Sequence, residues 1–409
     1  MQEAVISSGH QPGWYHPGIL AKRIALAQEA TKTGGTSFWL VADQDIDDPE
    51  VIRYPDLDEH GALIARSWRL LPGARGVPTA LRPWKPITTA PTVSPDLPGS
   101  IQSGLDQIKE ALESAEGDTV AERFSNASEA ILAEWLGHTT TLVRASELLQ
   151  TEAGRSAVDR ILENPVRCAR TWNDALRTVP RAARTLRVDE RNPDSTEVPA
   201  WAIDSDGFRR PASAGDLRRS LNGTTRIMPR AFLMTAVFRK LTGTPMIHGT
   251  GGGRYEHVTN QWAREFLDLE LPPIRVRTGD LLLPLEQFVN QSPSNPSVSE
   301  DDHPAAGSIR DRIRSLEHDP WEVPETKLAW LERIEQAPPD SVRRRNLFAE
   351  MHEAMQRRRE EIPDQLRVLR ALESEHEQQN RRTELARSRT WSWPLHERKS
   401  LDEFAATIS

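Results

Sequence analysis

The sequence predicts an α/β protein: a parallel sheet opens the chain, is interrupted by helices, resumes near residue 225, and gives way to a helical C-terminal region. Three observations predict it. The chain opens as strand, loop, helix and strand; a block of helical periodicity follows; short apolar runs ending in glycine then return before a strongly charged end.

AVIS at 4–7 is a short apolar run, and GHQPGWYHPG at 9–18 is too rich in Gly and Pro to be anything but a loop. From Ile19 the apolar residues Ala21, Ile24, Ala25 and Ala27 recur at helical spacing until Gly34 and Gly35 stop the helix. SFWLVAD at 37–43 reads as a second buried strand. Strand, crossover helix and strand make a βαβ unit, which favours a parallel sheet with right-handed connections. RSWRLLPG at 66–73 is the candidate third strand, and 72–100, rich in Pro, Gly and Thr, is an extended connection.

The period then becomes helical over 101–116, 120–150, 154–163 and 167–178, with Asn164 and Pro165 separating the last two. Mixed structure returns after Val198. MPRAFLMTAVFRKLTG is a helix with Pro229 near its first turn and Gly243 beyond its end. TPMIH is a strand, GTGGG a loop, RYEHVTNQWAREFLDLE a helix, and PPIRVRTGDLLLPL a final strand and turn. The expected organisation is therefore 1–100 as the first half of the core, 101–198 as a helical insertion, 199–290 as the second half, 291–308 as a linker of biased composition, and 309–409 as a helical region. Leu331, Ile334, Leu347, Met351, Met355, Leu366, Leu369 and Leu372 are its candidate seam, able to make a helical hairpin, a coiled coil or a homodimer contact. The tail WSWPLHERKSLDEF reads equally as a docking segment or a frayed end.

A net charge of −8 argues against a broad nucleic-acid binder, because phosphate neutralisation needs a basic face. Arg343, Arg344 and Arg345, and Arg357, Arg358 and Arg359, alternate with acids such as Glu360 and Glu361, as on solvated helix surfaces. No apolar run is long enough for a bilayer. Cys168 is the single cysteine, so a disulfide within the chain and a cysteine-built zinc site are both excluded. With no basic and apolar leader in MQEAVISSGH, the expected setting is the cytoplasm, without membrane association.

Three stretches could carry chemistry. A loop leaving a strand and entering a helix N-terminus presents free N–H groups and the positive end of the helix dipole, which suits phosphate. In the first loop Gly13 and Gly18 permit close backbone approach, His10 and His16 can donate to phosphoryl oxygens, and Lys22 adds charge one turn on. A tight turn flanked by surface histidines is the plain alternative. His248, Gly249, Gly251, Gly252 and Gly253 repeat the logic before a second helix, although GTGGGR lacks the last glycine of a dinucleotide fingerprint; a helix–sheet packing corner is the alternative there. Asp43 and Asp45 follow the second strand, where open α/β sheets bind ligands, and could hold a hydroxyl, an amine or Mg²⁺; Asp47 and Asp48 read as a solvated turn. Cys168 reads as structural, and no pattern of His, Asp and Glu predicts a resident metal.

HPGI at 16–19 resembles the HxGH signature of the HUP-type nucleotide-binding fold of class I aminoacyl-tRNA synthetases and nucleotidyltransferases: His16 and Gly18 match, and Ile19 replaces the second histidine. More widely, SGHQPGWYHPGILAKRIALA, FWLVADQDID, MPRAFLM, and MIHGTGGGRYEHVTNQW with LPPIRVR resemble, in order, blocks of the bacillithiol-biosynthesis cysteine-adding enzyme family. Uncharacterised bacterial proteins with GHQ…HPG and IHG-x-GG are similar too. The cysteine-adding family places Gly9, Gln11, Gly13, Asp45, Pro229, Arg230, Gly252 and Tyr255 at matching positions. What the resemblance implies is a Rossmann-like core with a C-terminal coiled-coil dimerisation region, and an ATP-dependent ligation of an amino acid or amine to a small carboxylate substrate. ATP or ADP, with Mg²⁺, would then be the cofactor. His16, His10 and Lys22 would stabilise phosphoryl charge. Asp45 and Asp43 would hold the acceptor, Gly9, Gln11 and the glycine loop would hold the nucleotide, and Arg230, Arg254 and Tyr255 would hold the substrate. Loss of the second histidine leaves a catalytically degenerate nucleotide- or metabolite-binding protein as the alternative.

Overall fold

The computed structural model describes residues 4–289, 306–318, 324–361 and 363–408. They form two compact units: residues 1–57, 65–284 and 388–409, and residues 58–64 with 285–387.

The first unit is built on β1 (Ala4–His10), α1 (Pro17–Thr33) and β2 (Thr36–Val41). His16 caps α1 by accepting the Gly18 N–H on Nδ1 at 3.1 Å, Pro17 occupies the first helical position, and Gly34 ends the helix at φ 67°. A hairpin, β3 (Val51–Leu57) with β4 (Leu63–Arg69), forms a separate two-stranded sheet. The predicted third strand therefore exists without joining the parallel sheet. Next come α2 (Gly99–Ser114), α3 (Val120–Leu136) and β5 (Thr141–Arg144). The predicted helix at 120–150 is thus corrected: Gly137 turns the chain at φ 64°, and the β-branched run Thr139 to Thr141 with Val143 favours a strand. After α4 (Glu152–Glu163) and α5 (Pro165–Leu176), an antiparallel sheet of β6 (Glu197–Ile203), β7 (Arg209–Ser213) and β8 (Arg226–Pro229) surrounds α6 (Ala214–Leu221) in the chain. Then follow α7 (Ala231–Thr242), β9 (Met246–His248), α8 (Thr250–Trp262) and β10 (Ile274–Val276). Pro229 ends β8 instead of opening α7, whose N-cap is Arg230.

The five-stranded sheet runs β10-β9-β1-β2-β5, with every pairing parallel, a Rossmann-like order. From β1 the chain crosses through α1 to β2; from β9 it crosses through α8 to β10 on the other side. The carboxyl ends of β1 and β9 are therefore a topological switch point, where such sheets open a crevice. β1 is central, so even its serines are buried: Ser8 Oγ donates to the Ile247 carbonyl at 2.7 Å. Helices α4, α5, α7 and α8 share one apolar core with β6, in which Trp172 and Trp262 meet edge to face at 5.6 Å. Cys168 lies in that core, where burial raises its thiol pKa and keeps it unreactive.

The second unit contains α9 (Ala306–His318), α10 (Pro324–Glu335), α11 (Val342–Glu361) and α12 (Pro363–Ala386). Of the expected seam, Ile334, Leu347, Met351 and Met355 cluster with Ala337 between α10 and α11, whereas Leu331 is exposed. Arg310 of α9 pairs with Glu373 of α12 at 2.9 Å and with Glu377. Residues 291–305 of the expected linker lie outside the described residues. The tail belongs to the first unit and is docked, ending in α13 (Arg398–Thr407). No described helix is long and apolar enough to cross a membrane.

Candidate functional site

A cavity of about 510 Å³ lies at the switch point, within the size range of small-molecule sites. Its floor comes from β1, β2 and the residue after β2 (Gly9, His10, Leu40, Ala42), one side from the start of α1 (His16, Gly18, Ile19, Lys22), and the facing side from His248 and the start of α8. Phe232, Met234 and Thr235 of α7 add a largely apolar wall, and Thr278 and Arg389 complete the lining. Residues from both ends of the sequence motifs are thus brought to one place, because β1 and β9 pair at Ser7–Met246 and Ser8–Ile247.

Two helix N-termini border the cavity. At α1 the His16 ring already accepts the Gly18 N–H, so its Nε2 carries the proton. At α8 the N-cap is Gly249, and no side chain caps the first turn. The predicted glycine loop is in fact that turn: Gly251, Gly252 and Gly253 are helical. Their reasons differ. A Cβ on Gly252 would fall 2.4 Å from His248 Nδ1, so the glycine makes room for that ring; on Gly253 it would press Val276 at 3.0 Å. At Gly249 and Gly251 a Cβ would meet nothing within 4 Å. Packing does not demand glycine there, and its absence of a Cβ leaves the backbone N–H groups of this turn open to close approach.

The titratable groups are mostly buried and uncharged or paired. Burial lowers the His10 pKa to about 3, with the Lys22 charge adding to it, so its ring is neutral at pH 7. His10 Nδ1 lies 3.3 Å from the Gln11 carbonyl, which assigns the proton to Nδ1 and leaves Nε2 as an acceptor. Lys22 donates to the Gly9 carbonyl at 2.5 Å, lies 5.1 Å from the Trp39 ring centroid, and is brought down to about 7, chiefly by burial and then by Arg23. It is therefore a weaker source of charge than its position in the sequence suggests. Burial, then the Arg389 charge, lowers His16. His248 Nε2 stands 3.4 Å from Glu256 Oε1 without hydrogen-bond geometry, while Glu256 Oε2 binds Arg239 at 2.7 Å.

Asp45 lines the cavity but is already engaged by Gln11 Nε2 at 3.2 Å and by Arg209 at 3.0 Å. It positions Gln11 on the rim. Asp43 is a correction: it is fully buried away from the cavity, accepting Ser146 N–H at 2.8 Å and Ser146 Oγ–H at 2.6 Å, and burial raises its pKa to about 6. Arg230 is a second correction. It pairs with Glu197 at 2.5 Å, lies 4.3 Å from the Trp201 ring centroid, and is buried off the cavity lining. Gly13 (φ 146°) shapes the loop against Pro49, and Gly9 is required where a Cβ would fall 2.6 Å from Leu40 Cβ, although it also borders the cavity. Tyr255 is on the cavity lining; Arg254 lies in α8, and its side chain is outside the described residues.

Sequence reasoning missed Gln44, Phe232, Thr278 and Arg389 as site residues. Gln44 is 5 % exposed, and its Oε1 has no partner, an unusual state for a buried amide that lines a cavity. Its position in ADQDID after the second strand was a usable signal; Arg389, far along the chain, offered none. Among the described residues no group of three or more His, Cys, Asp or Glu gathers as a metal site. The chain matches no family model and no curated protein.

Proposed function

We propose that the cavity binds a phosphate-bearing ligand of the nucleoside triphosphate class, and that the chain is an ATP-dependent ligase or nucleotidyl-transfer enzyme joining an amino acid or amine to a small carboxylate. The observation that carries this reading is the convergence of two helix N-termini, α1 and α8, on a cavity at the switch point of a Rossmann-like sheet. The resemblance to the cysteine-adding family in the same blocks supports it. The triphosphate supplies a good leaving group for activating the carboxylate. The residues of the chain would do the rest: the α8 N–H groups and His16 Nε2–H hold phosphoryl oxygens, and Phe232 and Met234 cover an apolar part of the ligand. His10 Nε2, kept unprotonated by burial, would accept a hydrogen bond that orients the attacking amine; a ring brought down to about 3 is too weak a base to keep the amine's proton, which leaves to solvent.

A second reading, binding without turnover, is favoured by one observation: Ile19, in place of the second signature histidine, borders the same cavity. Titration calorimetry with ATP, ADP and AMP, with and without Mg²⁺, tests both beside His16→Ala. Micromolar binding that weakens in the variant supports the site, and adenosine phosphate release on adding amines and carboxylates separates enzyme from binder. Absence of binding by any nucleotide removes the reading.

A further inference from the structure

Arg389 reaches the cavity from a part of the chain with no apparent connection to it. It precedes a tail segment fastened to the loop between β1 and α1. Ser392 Oγ donates to the Trp14 carbonyl at 2.8 Å, and Trp393 N–H donates to the Tyr15 carbonyl at 2.9 Å. The Trp393 ring lies 6.0 Å from Trp14 and is stacked on Trp135 at 6.1 Å. A Cβ on Gly104 of α2 would come within 2.2 Å of the Pro394 carbonyl, so the tail lies directly on the helix backbone. These contacts hold the loop that carries Gln11 and His16, and they set Arg389 at the cavity lining beside Thr278.

The guanidinium itself is only lightly committed. Arg389 is 54 % exposed, and its single ion-pair partner, Asp280 at 2.6 Å, is 60 % exposed. A pair so open to water is weak and easily exchanged. Asp280 takes one of the five N–H donors, and no other described residue takes the rest. Among the described residues, three cations near the cavity are already engaged: Arg209 by Asp45, Arg239 by Glu256, and Lys22 by a backbone carbonyl. The charge of Arg389 is felt at His16, whose pKa it helps to lower.

We infer that Arg389 is an anion-binding residue of this site, delivered by the docked C-terminal tail, and that it exchanges Asp280 for a phosphate or carboxylate group of the bound ligand. The inference rests on the proposed nucleotide site and names the residue that grips the ligand's anionic end. A planar guanidinium suits such a group because it can donate two parallel bonds.

The test is calorimetric titration of the full chain with ATP and with inorganic pyrophosphate, for the native protein and for Arg389→Ala, Arg389→Lys and Asp280→Ala, with thermal midpoints recorded for each. The expected result is a tenfold or greater loss of affinity in Arg389→Ala, partial recovery in Arg389→Lys, and equal or tighter binding in Asp280→Ala, with midpoints near native. Equal affinity of native protein and Arg389→Ala for both ligands overturns the role of Arg389 and leaves the nucleotide reading standing. No binding of either ligand by the native protein overturns both.

Discussion

Replacing Lys22 by Met removes a buried ammonium while keeping most of its apolar volume, and the consequence should depend on pH. Lys22 is 3 % exposed, and its pKa falls from 10.5 to about 7 on folding. Between those values the unfolded chain holds a proton that the folded chain has released, so native stability rises with pH across that window. Below about pH 7 both states are protonated, and the full penalty, roughly 5 kcal/mol at about 1.4 kcal/mol per pKa unit, weighs on the folded state. The variant lacks the penalty. It leaves the Gly9 carbonyl without its side-chain donor, a cost of about 1–3 kcal/mol that does not vary with pH. Stability of Lys22→Met relative to native should therefore fall by about 3 kcal/mol from pH 6.5 to 9.5. Urea unfolding of both proteins by tryptophan fluorescence at several pH values in this range measures the difference, and other titrating groups cancel in it. Parallel stability profiles would refute the reasoning, because they require Lys22 to keep its solution pKa in the fold.

Three further outcomes are expected. Asp43, raised from 3.8 to about 6, makes native stability decline as pH rises from about 4 to 6; Asp43→Asn should flatten that decline by about 2 kcal/mol between pH 4.5 and 6.5, read from urea unfolding at those two values. Gly251→Ala meets open space and improves helix propensity, so it should gain about 0.5–1 kcal/mol of stability while weakening nucleotide binding; unchanged affinity would mean that the glycine serves no ligand. Gly104→Ala should drive the Pro394 carbonyl off α2 and loosen the tail, seen as faster tryptic cleavage near Arg398 at 20 °C, whereas native cleavage rates would show that the tail does not rest on α2.

The sequence by itself determined the local pieces. Gly34 and Gly243 marked helix ends because left-handed turns are properties of a few adjacent residues, whereas the start of α1 at His16 and Pro17 was read as loop. The strands β1, β2 and β9 and several residues of the cavity lining were legible for the same reason, although the glycine run was read as a loop and is the first turn of α8. Where one local signal was outweighed, the reading failed: β5 was absorbed into a helix because Trp135 and Leu136 continue the apolar pattern into the β-branched run after Gly137. Only the tertiary structure decided which strands are neighbours, and therefore that the loops after β1 and β9 face one cavity. It decided that Asp43 and Arg230 are consumed by Ser146 and Glu197, since a partner more than thirty residues away leaves no mark beside a charged side chain. It also decided that residues 388–408 fold back onto the first loop and bring Arg389 to the site. Burial and long-range pairing fix what a buried carboxylate, amine or guanidinium can do, and both come into being only when the chain closes on itself.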